Sequence, residues 1–150
     1  MKTHISVKGE QFYINGQPVY SEISPGNPEA HGLLMNARFI QGIFDDKADP
    51  QRFARFGWDK WDPERNTKGL IEALPEWYSY GLRAITVGLQ GGMPVFTIKN
   101  ETINNNPFSE DGKEIAPAYL SRLDSLIRAA DEIGMVIIVS ILYEGQSPRL

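Results

Sequence analysis

"MVIIVSIL" (residues 135–142) is a nearly continuous apolar run, and "RAITVGL" (83–89) carries a second one. A strand with one face in water alternates apolar and polar residues, because successive side chains point to opposite faces. Runs without that alternation mark strands buried on both faces, and these belong to parallel sheets covered by helices. The two stretches therefore predict an α/β fold.

Working outward, the residues before each run are helical. "PAYLSRLDSLIRAADEIG" (117–134) places Leu120, Leu123, Leu126, Ile127, Ala130 and Ile133 on one face, with Pro117 at its start and Gly134 as its stop. "TKGLIEALPEWYSYG" (67–81) has apolar residues at 70, 71, 74, 77 and 78. Asn66 or Thr67 can cap this helix and Gly81 can end it, while Pro75 predicts a kink or an early break. "WDPERN" (61–66) reads as a turn in which Asp62 caps and Pro63 takes a first helical position. A third strand precedes them, "MNARFIQGIF" (35–44), which runs into Asp45-Asp46.

The order is strand, loop, helix, strand, loop, helix, strand, and the three strands are expected to lie parallel and side by side. The helix-to-strand connections are tight, at Gly81-Leu82 and Gly134-Met135. The strand-to-helix connections are long, and "QGGMPVFTIKNETINNNPFSEDGKE" (90–114) is dense in Gly, Asn and Pro. That asymmetry puts the expected site beyond the carboxyl ends of the strands.

An open doubly wound sheet and a (β/α) barrel both share this order. A nucleotide-binding sheet leads a Gly-rich turn directly into a helix, whereas about 25 residues separate Gly91-Gly92 from the next helix here. The barrel is favoured. One strand-plus-helix unit takes about 50 residues here, and even a typical barrel of eight units needs ~250 in total. The 150 residues are thus expected to form the first three βα units of a (β/α)8 TIM barrel, an incomplete barrel. A hairpin precedes it: "QFYINGQPVY" (11–20) flanks Asn15-Gly16, and a type I′ turn needs positive φ at both central residues. Residues 1–32 are read as hairpin and lead-in, and 33–150 as the barrel portion.

Composition narrows the partners. The formal net charge is −4, which argues against a nucleic-acid backbone or an anionic membrane and fits neutral ligands such as sugars. There is no cysteine, hence no disulfide and no thiolate metal site. His4 and His31 lie outside metal-ligand spacing, so no metal and no cofactor are expected. The stretch "MKTHISVKGEQFY" has no apolar signal-peptide core, leaving a cytoplasmic chain or a secreted one with its signal removed equally open.

"FYINGQPVY", "IQGIFDD", "WDPERNT", "LPEWYSYGLRAITVGLQGG", "NNNPFSEDG" and "RAADEIGMVIIVSILYEGQ", in that order, resemble the beginning of a TIM-barrel glycoside hydrolase. The broad relatives are the cellulase-like and β-galactosidase-like retaining glycosidases. The resemblance implies a carbohydrate substrate. It also implies a hairpin across the amino end of the barrel, and two catalytic glutamates after the fourth and seventh strands. Retaining enzymes hold those carboxylates ~5 Å apart. The chain carries three strands, so no catalytic residue is expected within it and the rest of the barrel would be its partner. Glu144 follows the third strand, the wrong one for either role.

The expected contribution is substrate binding. Asp45 and Asp46 sit at the first strand's end; because neighbours alternate, at most one faces the barrel centre. Gln90, after the second strand, offers a donor and an acceptor to hydroxyls. Asn105 lies in the long loop. Tyr143 and Gln146 follow the third strand, where relatives often carry a histidine that this chain lacks. Trp61, with Trp58, reads as an exposed stacking platform on the rim. Two other classes fit the same residues: a non-catalytic carbohydrate-binding or scaffold barrel, and a stand-alone α/β interaction module.

Overall fold

The computed structural model describes residues 1–46, 51, 53–90 and 107–142. It contains two sheets and two long helices. The first sheet is antiparallel, in the order β1 (Ile5–Lys8), β2 (Gln11–Ile14), β3 (Gln17–Pro18). The Asn15-Gly16 turn between β2 and β3 has φ of 51° and 82°, as a type I′ turn demands. Strand β1 pairs with β2 over Ile5↔Ile14 to Lys8↔Gln11 and was not legible as a strand. The lead-in closes back on this sheet, because the Phe12 N–H donates to the Gly32 carbonyl and the Gly32 N–H to the Val19 carbonyl, both at 2.8 Å.

The second sheet is parallel, in the order β4 (Asn36–Arg38), β5 (Ala84–Gly88), β6 (Val136–Ser140), in register from Ala84↔Val136 to Gly88↔Ser140. The expected parallel, side-by-side arrangement is present. The first strand is shorter than the 35–44 predicted. After Phe39, whose N–H donates to the Thr86 carbonyl at 2.7 Å, the chain turns, and the Gly42 N–H donates back to the Phe39 carbonyl at 2.8 Å. Gly42 makes the turn possible by its size. A Cβ there would lie 2.6 Å from Leu70 Cδ2 and 2.7 Å from Val87 Cγ1.

Helix α1 (Pro63–Ser79) starts earlier than residue 67. Asp62, not Asn66 or Thr67, is its cap, accepting from the Glu64 and Arg65 N–H groups at 3.0 Å each. Asn66 Nδ2 and Thr67 Oγ1 instead donate to the Gln41 and Gly42 carbonyls, at 2.8 and 2.9 Å. The helix passes through Pro75 without the early break its sequence allows. Its end is a Schellman turn: Gly81 has φ of 97°, and the Gly81 and Leu82 N–H groups donate to the Tyr78 and Trp77 carbonyls.

Helix α2 (Pro117–Ile133) ends at Gly134, with φ of 79°. Its buried face is rotated from the predicted one. Tyr119, Arg122, Leu126 and Ala130 are buried, and Leu120 is 45% exposed.

Both helices cover one face of the parallel sheet. Leu70 and Leu74 of α1, Leu126 and Ala130 of α2, Ile85 and Val87 of β5, and Leu89 just after it form a single core. On the opposite face Thr86 donates to Asn36 Oδ1 at 3.0 Å, in an exposed pair. Only β5 is buried as a continuous apolar run predicts. Strand β6 is half-exposed because it is a sheet edge, and Ile138 shares the open face with Thr86.

The hairpin lies at the amino ends of the parallel strands. Ile14, Asn15 and Pro18 line a cavity of about 230 Å³ with Tyr78, Arg83 and Gly134, where α1 and α2 end and β5 begins. Among the described residues no helix is long and apolar enough to cross a membrane.

Candidate functional site

The carboxyl ends of β4 and β5 are knit together by backbone. The Gly88 N–H donates to the Ile40 carbonyl at 3.2 Å, and the Leu89 N–H to the Ser140 carbonyl at 2.9 Å. Gly88 is required, because a Cβ there would lie 2.4 Å from the Gln90 carbonyl oxygen and 3.1 Å from that of Ile40. The segment after β4 and the segment after β5 are therefore in direct contact. They carry Asp45 and Asp46 on one side and Gln90 on the other.

The two aspartates differ. Asp46 is 1% exposed and Asp45 is half-buried. Gln90 is also 1% exposed, and both Asp46 and Gln90 have interaction partners. Gln90 is thus part of the packed floor of this end. Asp45 is the more accessible of the two carboxylates.

Helix α2 holds the aspartate segment from below. The Asp45 N–H donates to Tyr119 Oη at 3.2 Å, and that hydroxyl lies 3.4 Å from the Asp45 carbonyl as a donor. Arg122 Nε donates to the Ile43 carbonyl at 3.0 Å, and its Nη1 to Glu64 Oε1 of α1 at 2.8 Å. The guanidinium also lies over the Tyr119 ring, 4.7 Å from its centre. Burial foremost, with the nearby charges of Asp45 and Asp46, pushes the Tyr119 phenol up to about 12, against the opposing Asp45 backbone bond and Arg122. The phenol stays protonated at neutral pH, so it remains a hydrogen-bond donor.

Trp61 does not sit on a rim. It is 8% exposed and packs against Phe44 and Phe53, with ring centres 5.3 and 4.4 Å away. The polar loop around it was misleading, because the indole turns inward to cover the Phe44 ring that follows β4. Trp58 is the more exposed indole of the pair, and the Arg65 guanidinium stacks over it at 4.2 Å. A cavity of about 810 Å³ lies beside Trp58, between the turn after β4 and α1, and among the described residues its lining includes none of Asp45, Asp46, Trp61 and Gln90.

Asn105, Tyr143 and Gln146 fall outside the described residues, as does Glu144. Among the described residues no group of three or more His, Asp or Glu side chains could hold a metal ion. Of the predicted set, the structure brings Asp45, Asp46 and Gln90 to one end of the sheet and buries Trp61 beside it. Tyr119, Arg122 and Glu64 were missed. A signal existed: continuing the Leu126–Ala130 stripe two turns toward the start of α2 reaches 122 and 119, where a polar residue on a core face asks for a partner. Comparison with protein-family models, with curated proteins and with solved structures returns no match.

Proposed function

We propose that this chain is the first part of a TIM-barrel glycoside hydrolase and supplies substrate-binding side chains to its cleft. The observation that carries the reading is the polarity of the sheet. Successive parallel strands deliver Asp45, Asp46 and Gln90 to one end, while the hairpin occupies the other. Carboxylates accept hydroxyl hydrogen bonds, and a carboxamide both donates and accepts. Asp45 is the group accessible to a polyhydroxylated ligand, with Asp46 and Gln90 packed beside it. Both helices on one face of the sheet, with the strands in chain order, also suit a barrel wall. The acid/base and nucleophile glutamates would come from later strands, so these 150 residues alone hydrolyse nothing.

The test is a panel of aryl glycosides offered to the complete enzyme, before and after Asp45→Asn. The change is isosteric and leaves the Tyr119 contacts, which are to the Asp45 backbone, in place. The expected result is turnover of at least one glycoside and a fall in kcat/KM of roughly tenfold or more, the size of one charged hydrogen bond. No turnover and no sugar binding would remove the reading.

A further inference from the structure

The segment that carries the aspartates is held by α2 and not by its own strand. Strand β4 stops at Arg38, and from Ile43 to Asp46 the backbone lies outside any ladder. Its direction is set by three side-chain bonds from two turns of another element: Tyr119 Oη on both sides of the Asp45 backbone, and Arg122 Nε on the Ile43 carbonyl.

Arg122 is an unusual choice for that task. It is 2% exposed, and burying a cation is costly unless it is paired and hydrogen-bonded. A carbonyl could be held by a neutral donor at lower cost. The guanidinium adds reach in two directions at once: Nε meets Ile43, and Nη1 meets Glu64 on the first turn of α1. Glu64 is itself mostly exposed, so the link runs from the core to the surface at the carboxyl end of the sheet. Two helices and one loop are thereby locked in a single arrangement by a fork that lysine does not possess.

We propose that Tyr119 and Arg122 are positioning residues, which fix the Ile43–Asp46 segment and so set where Asp45, the accessible one of the two aspartates, stands at the carboxyl end of the sheet. What the segment binds rests on the carbohydrate reading given above; how it is held does not. Tyr119 fits the task because its hydroxyl remains protonated and can donate and accept at the same peptide.

The experiment is amide hydrogen exchange on the wild type, Tyr119→Phe, Arg122→Lys and Arg122→Gln. The reference is the exchange of Ile85 and Val87 in buried β5. Tyr119→Phe keeps the ring packing and loses only the hydroxyl, so it stays folded even where an Arg122 variant does not. The expected result is exchange at Phe44–Asp46 accelerated by about tenfold or more in Tyr119→Phe, with β5 unchanged. Arg122→Lys should resemble Arg122→Gln, since charge without the fork does not reach both partners. In the complete enzyme Tyr119→Phe should also lower kcat/KM, as Asp45→Asn does. Equal acceleration of the segment and of β5, or none in either, overturns the proposal, as does an Arg122→Lys variant indistinguishable from wild type. A wild-type enzyme that turns over no glycoside counts against the carbohydrate reading alone and leaves the exchange result readable.

Discussion

The Thr3 N–H donates to Asp131 Oδ1 at 2.7 Å, which fastens the start of the antiparallel hairpin sheet to the last turn of α2. The Lys2 N–H adds two further bonds to the same carboxylate, at 2.8 Å each. An acidic residue near a helix carboxyl end opposes the helix dipole, so its place there is explained by what it grips. These backbone N–H donors hold the Asp131 carboxyl below the usual carboxylate range. A group with a lowered folded pKa contributes stability above its unfolded pKa and loses it as pH falls through the folded value. The protection of the β1 amides, measured against their intrinsic exchange at each pH, should therefore fall in acid, below about pH 4, and Asp131→Asn should lower it at neutral pH too. A β1 protection factor that does not change with pH in the wild type would contradict this.

Gly42→Ala should destabilise by about 1–3 kcal/mol, because the new methyl overlaps Leu70 and Val87 in a close-packed core. Gly69→Ala on α1, next to Leu70, is the control, with open space around its Cβ position. It should stabilise by up to about 1 kcal/mol through helix propensity. Denaturant midpoints of the two variants decide the matter.

Trp61→Ala should cost about 3–5 kcal/mol as a large-to-small core change. Trp58→Ala, at the more exposed indole, should cost about 1 kcal/mol or less, from the lost contact with Arg65. Equal small effects would return Trp61 to the role of an exposed platform.

On α2, Leu126→Ala should cost about 2–5 kcal/mol, and Leu120→Ala less than about 1 kcal/mol. The pair tests the observed rotation of the helix face against the one its leucines suggest.

That rotation shows where the sequence stops being informative. Helical period, caps and Gly stops are local, so α2 and the Asn15-Gly16 turn were readable to within a residue. The face of α2 was not, because Tyr119 and Arg122 are buried by partners 74 and 79 positions away. The length of β4 depended on the tight packing at Gly42, a tertiary contact that an apolar run conceals. The apolar run of β6 was read as buried, yet the strand is an edge; periodicity reports what a strand suits, not what covers it. The carboxyl-end rule placed Asp45, Asp46 and Gln90 at one end of the sheet, where the structure also has them. It could not tell that Gln90 is packed or that Trp61 turns inward, since both depend on neighbours outside their own segments.

The most direct measurement of the central claim is an amide chemical-shift titration with a panel of oligosaccharides, each taken to about 10 mM to capture weak binding. The account predicts that at least one sugar shifts the Asp45, Asp46 and Gln90 signals together while the Asn15 and Gly16 signals at the far end stay still. Shifts confined to the hairpin, or none with any sugar, would contradict it.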